Sequence, residues 1–118
     1  MDTRGKIIGA SQAVRIAQSG ATVVSGYFDP LTAPLAERVQ GLKQDGYPLL
    51  VLIRTPEDAI LPARARAELV AALRAVDYVC DVEPEIASAL SLEAEHREQL
   101  AQLIQHVHAR QQTQPGPK

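Results

Sequence analysis

The chain has 118 residues, a formal net charge of −2 and a sequence pI near 5.9, enough for one buried core and too short for two ordinary domains. Apolar residues make up 46% and charged residues 22%, a globular composition whose slightly acidic balance excludes the basic face of a nucleic-acid or anionic-membrane binder. One Phe, three Tyr and no Trp leave no set of platforms for stacked bases and require a core of Leu, Val, Ile and Ala.

In chain order, residues 1–6 run into a short apolar patch that does not build the hydrophobic stretch of a signal peptide. No segment reaches the roughly 18 apolar residues of a membrane span, so the expected location is cytoplasmic. Residues 11–19 (SQAVRIAQS) carry Ala13, Val14, Ile16 and Ala17 at helical spacing, with Ser11 as the expected N-cap and Gly20 as the stop. Residues 21–26 form a β-branched run ending in Gly26, which predicts a buried strand. The next helix is expected over residues 34–44, with Leu35, Val39 and Leu42 along one face. Pro34 is tolerated in its first turn, and Thr32 stands where a cap belongs.

Asp45 and Gly46 close that helix, and residues 48–54 are apolar at nearly every position. Such a run suits a parallel strand covered on both faces. A loop with Pro56 and Asp58 leads to Pro62 and an amphipathic helix over residues 63–75; residues 77–82 (DYVCDV) make a third strand. Cys80 is the only cysteine, so no internal disulfide forms, and the expectation is a buried thiol rather than a zinc ligand. Strands alternating with helices imply crossover units and a parallel sheet. The fold class is therefore α/β: a Rossmann-like three-layer fold with a short parallel sheet near residues 21–26, 48–54 and 77–82, flanked by helices.

Beyond Pro84 the pattern becomes helical. A short turn is expected over residues 85–90 and a longer C-terminal helix from Ser91 to residue 111, with Leu92, Leu100, Leu103, Ile104 and Val107 as its apolar stripe. Residues 113–118 read as a disordered tail, which leaves residues 1–112 as a single domain. His96, His106 and His108 all fall on the C-terminal helix, spaced too poorly to share a metal ion. No metal site and no Ser/His/Asp arrangement is expected.

Residues 22–31, TVVSGYFDPL, resemble the first strand and loop of the cytidylyltransferase-like nucleotidyltransferases, of the glycerol-3-phosphate cytidylyltransferase and heptose-phosphate adenylyltransferase type. In that family a strand ends in G-x-F-D and runs into an H-x-G-H motif that opens a helix. A second stretch, Pro62-x-x-x-Arg66-x-x-x-Val70-x-x-Leu73-x-x-Val76-Asp77-Tyr78-Val79, is similar to the family's later helix and strand, and Lys6-Ile7-Ile8 resembles its entry segment. The resemblance spans about residues 6–83. It implies nucleotide binding by Gly26, Tyr27, Phe28, Asp29, Thr32, Arg54, Thr55 and Arg66, with Mg²⁺ entering only alongside a bound nucleotide.

Independently of any family, ligands in an open α/β sheet sit beyond the carboxyl ends of the strands. Those ends supply Gly26, Tyr27, Phe28 and Asp29, then Arg54 and Thr55, then Asp81 and Glu83. Gly26 allows close backbone approach to a ligand, or serves only as a turn residue, and Asp29-Pro30 is equally an ordinary turn initiator. The helix opening near Thr32 would aim its positive end at an anion.

The chemistry is incomplete. The family's two histidines fall on Thr32 and Leu35 and its glycine on Pro34. Leu35 cannot donate a hydrogen bond, and Pro34 removes a backbone donor. Losing one such donor from a charge-stabilising site costs roughly 2–4 kcal/mol of barrier. Residues 55–61 (TPEDAIL) lack the family's lysine and are net acidic; Arg64 and Arg66 are partial substitutes or solvent-facing helix residues. The family's later strands have no counterpart.

The expectation is a degenerate, non-catalytic module for a nucleotide, a sugar-phosphate or a protein partner, leaning against an enzyme. An active nucleotidyltransferase moving CMP or AMP to a phosphorylated small molecule is the alternative, and a structural dimerisation domain the third reading. With the later strands absent, the outer edge of the first strand would lie open, to be covered by the C-terminal helix or a second copy. A homodimer is expected on that ground.

Overall fold

The structure, a computed structural model, describes residues 2–82 and 90–93. A 3₁₀ turn, Thr3–Lys6, leads into β1 (Ile7–Ile8) and α1 (Ala10–Gln18); β2 (Thr22–Gly26), α2 (Ala33–Gln40), β3 (Leu49–Ile53), α3 (Ala63–Ala71), β4 (Tyr78–Cys80) and β5 (Leu90–Ser91) follow. All strand pairs are parallel, in the order β1-β4-β3-β2-β5. The fold is a small Rossmann-like α/β sandwich.

The apolar run predicted to be covered on both faces is so covered: all five residues of β3 are buried. Alternate residues serve opposite layers, as the two-residue period of a strand requires. Leu49, Val51 and Ile53 join Val24, Phe28, Val79 and Leu92 under α2 and α3, whose Val39, Ala67, Val70 and Ala71 complete that core. Leu50 and Leu52 join Val23, Cys80 and α1's Ala13 on the other face. Helices on opposite faces are what right-handed crossovers running in two directions along a sheet produce.

Several boundaries differ from expectation. Ser11 is not the cap of α1: Gly9 holds that position without a side-chain bond, and Ser11 lies inside the helix. α2 stops at Gln40 and α3 at Ala71, short of the expected 44 and 75, with Gly41 and Ala72 as C-caps. The expected 77–82 strand is shorter, Tyr78–Cys80, which are the residues that pair with β3.

Two strands were not expected. Ile7–Ile8 pairs with β4, and Leu90–Ser91 pairs with β2 through Val24↔Leu90 and Ser25↔Ser91. The Leu90-Ser91-Leu92 alternation is a strand signal too short to stand out beside the longer helical pattern that Leu92 opens. The outer edge of β2 is therefore occupied rather than open, which removes the premise on which a covering second copy was expected. The remainder of the expected C-terminal helix with its stripe, the 85–89 turn, Glu83, the three histidines and the 113–118 tail lie outside the described residues. Among the described residues no helix is long and apolar enough to cross a membrane.

Candidate functional site at the carboxyl ends of β2 and β3

β2 and β3 run side by side with Gly26 opposite Ile53, and the chains leaving them stay joined by an Arg54 N–H donated to Gly26 O at 2.9 Å. After Gly26 the backbone turns sharply, and Phe28 takes a left-handed φ of 50°, unusual for a bulky residue. Its ring folds back over Gly26, where a Cβ would come within 2.7 Å of the ring. Gly26 is thus needed by the chain's own phenylalanine. Phe28 is 1% exposed and belongs to the core.

Asp29 follows and turns inward, 3% exposed. Its two carboxylate oxygens accept from successive backbone N–H groups: Ile60 at 2.6 Å and Leu61 at 2.7 Å. Two adjacent N–H groups gripping one carboxylate form a backbone nest for an anion. Arg66, on the first turns of α3, is 1% exposed. Its Nε donates to Leu61 O at 3.0 Å, one terminal nitrogen to Tyr27 O at 2.9 Å and Arg54 O at 2.7 Å, and the other to Thr55 Oγ1 at 3.2 Å.

Four hydrogen bonds to neutral acceptors keep the guanidinium polar-bonded inside the protein, which a buried charge requires. Leu61 links the two charged groups, its N–H on Asp29 and its C=O on Arg66. One polar knot therefore ties the exits of β2 and β3 to the entrance of α3.

α2 begins beside this knot. Thr32 is its N-cap, as expected, with Oγ1 accepting from Leu35 N at 3.4 Å. Ala36 N–H goes to Thr32 O at 2.9 Å, and Pro34 has no N–H. Most of the donors that would present themselves to a phosphate at a helix start are thus committed or missing. Leu35 is fully buried: the side chain at the expected imidazole position packs rather than reacts.

The structure therefore brings Tyr27, Arg54, Thr55 and Arg66 together, joins Asp29 to them through Leu61, and sets Thr32 to capping α2. Ligand contact through Phe28, Asp29 or Arg66 would require those side chains to leave the interior. Arg64 is 56% exposed, 3.6 Å from Glu68 and 3.9 Å from Asp81, so of the two arginines weighed as substitutes only Arg66 points inward. Ile60 and Leu61 were not anticipated. They act through backbone N–H groups, which leave no mark on residue type. The Ser25 hydroxyl, also unanticipated, donates to the Glu93 carboxylate at 3.2 Å and so fastens the chain after β5 to β2.

Two surface grooves lined by described residues lie away from this loop. One, of about 380 Å³, runs along α1 past Ile8, Gln12, Arg15, Ile16 and Tyr78. The other, of about 560 Å³, is formed by Thr3, Lys6, Ala72, Arg74, Val76 and Asp77 near the start of β4. Among the described residues no group of three His, Cys, Asp or Glu side chains stands close enough to hold a metal ion. Comparison of the chain with protein-family models finds no match, and comparison with curated proteins finds none either.

Proposed function

We propose that this protein is a non-catalytic, nucleotidyltransferase-like domain that works by binding a protein partner. The observation that carries the reading is the commitment of the loop's charge: Asp29 and Arg66 are buried and bonded to the chain's own backbone. A catalyst of phosphoryl-type transfer needs donors aimed at charge that develops on a substrate. Here the donors are aimed at carbonyls and a hydroxyl of the loop itself.

What the loop does offer is an exposed apolar side chain on a backbone held at its N–H. Ile60 is fixed at its N–H by Asp29 while 69% exposed. Val82, just past β4, is 56% exposed, and Leu69 on α3 is 45% exposed. Large aliphatic side chains presented on a rigid backbone suit contact with another protein, because little conformational entropy is lost on docking. A second copy of the chain is the partner to test first.

The test incubates the purified chain with CTP or ATP and Mg²⁺, with glycerol phosphate or a sugar phosphate as acceptor. The expected result is no pyrophosphate release above background and no nucleotide-dependent rise in Tm. Turnover at ordinary enzymatic rates, abolished by Thr32→Ala, would refute the reading. Sedimentation at micromolar concentration decides whether the partner is a second copy.

A further inference from the structure

We propose that the backbone at Ile60 and Leu61 is a carboxylate receptor whose resident anion is the chain's own Asp29, so that the loop is self-liganded and closed to anions from solution. Its parts are those that bind small anions elsewhere: two successive N–H groups, and a helix beginning just beyond them. Each N–H meets a different carboxylate oxygen, at 2.6 and 2.7 Å, so the grip is bidentate. These are the short distances of charge-assisted hydrogen bonds. α3 opens at Ala63, two residues past Leu61, and its Arg66 adds a fixed positive charge against the Leu61 carbonyl.

Delivery of the anion is built in as well. Phe28, in its left-handed conformation with the ring against Gly26, turns the following residue inward, and the carboxylate arrives 3% exposed. The ligand class follows from that head group: a small monocarboxylate of formate size. Cutting the side chain back to Cβ leaves the receptor standing and vacant. The inference is independent of whether the domain binds a protein partner, since it concerns only who occupies the nest.

The experiment is thermal unfolding of the full chain, wild type against Asp29→Ala and Asp29→Asn, in sodium formate and in sodium chloride at matched ionic strength. Asp29→Ala should melt below wild type, and formate but not chloride should raise it by about 5 °C once tenfold above its Kd. Wild type and Asp29→Asn should show no formate-specific shift. Equal responses of Asp29→Ala to the two salts, or a formate gain in wild type as large as in the variant, would overturn the proposal.

Should Asp29→Ala not fold in either salt, the isosteric Asp29→Asn decides the matter by amide exchange. An asparagine offers one acceptor oxygen where the carboxylate offered two, so one of the Ile60 and Leu61 N–H groups should exchange about tenfold faster than in wild type, as loss of a bond worth about 1.4 kcal/mol implies. Unchanged exchange at both would sink the idea.

Discussion

Asp29 and Asp77 do the same job at opposite ends of the sheet, and they do it in different solvents. Each carboxylate ties a distant stretch of chain to a strand end by accepting a backbone N–H: Ile60 and Leu61 for Asp29, Leu49 for Asp77. Asp29 sits at the carboxyl ends, 3% exposed, with its charge facing backbone donors. Asp77 sits at the amino ends, its side chain 38% exposed, with the Lys43 ammonium 2.6 Å away. Burial makes the first tie expensive to break. Water and salt screen the second, so its loss is cheap.

The widest gap between the two ends should come from the knot around Asp29. Arg66→Ala strips partners from the carbonyls of Tyr27, Arg54 and Leu61 at once, and removing one side of a buried polar arrangement costs about 3–5 kcal/mol. Urea unfolding should show that loss, while Lys43→Ala at the other end costs under about 1 kcal/mol. Similar losses for both variants would break the comparison.

A smaller effect sharpens it. Gly26→Ala places a methyl where the Phe28 ring lies, 2.7 Å from its nearest carbon, and overpacking of this kind costs about 1–3 kcal/mol. Because the clash is with one side chain, Phe28→Leu should recover part of the loss in a double-mutant cycle. Additive effects would place the constraint in the backbone instead.

The smallest effect is the pH dependence of the exposed end. Burial raises the Asp77 carboxyl, but the hydrogen bond from Lys43, that from Leu49 N–H and the charges of Lys43 and Lys6 together outweigh it and hold it below its ordinary 3.8. A carboxyl lowered in the folded state adds stability above its unfolded value of about 3.9, and that stability disappears as pH falls through the folded value. The difference between wild type and Asp77→Asn should therefore be constant from about pH 5 to 7, under about 1 kcal/mol, and shrink below about pH 4. A gap undiminished at pH 3 would mean that the carboxylate's charge contributes nothing.

Much of the fold was legible because its signals are local. The five apolar residues of β3, the β-branched run of β2 and the Thr32 cap each report burial or hydrogen bonding within a few residues of themselves. Ser11 misled because a good capping residue inside a helix looks the same as one at its start. β5 was hidden because two strand residues give almost no alternation to read and Leu92 also fits the stripe of the expected C-terminal helix; pairing with the edge of β2 is what makes Leu90–Ser91 a strand.

The candidate site was legible as a place but not as chemistry. Gly26, Phe28, Asp29 and Arg66 were singled out from the residues leaving β2 and beginning α3, and the structure gathers them there. The sequence could not say whether their polar groups face water or one another. By itself it determined an α/β chain with a parallel central sheet, a capped helix after G-Y-F-D, and no histidine within residues 26–35, since periodicity and residue type are properties of short stretches. Only the tertiary structure decided that Arg66 turns inward to three carbonyls and that Asp29 finds two N–H groups some thirty residues away. Backbone donors and acceptors are the same in every residue but proline, so where they converge depends on how the strands and helices pack and not on which amino acids carry them.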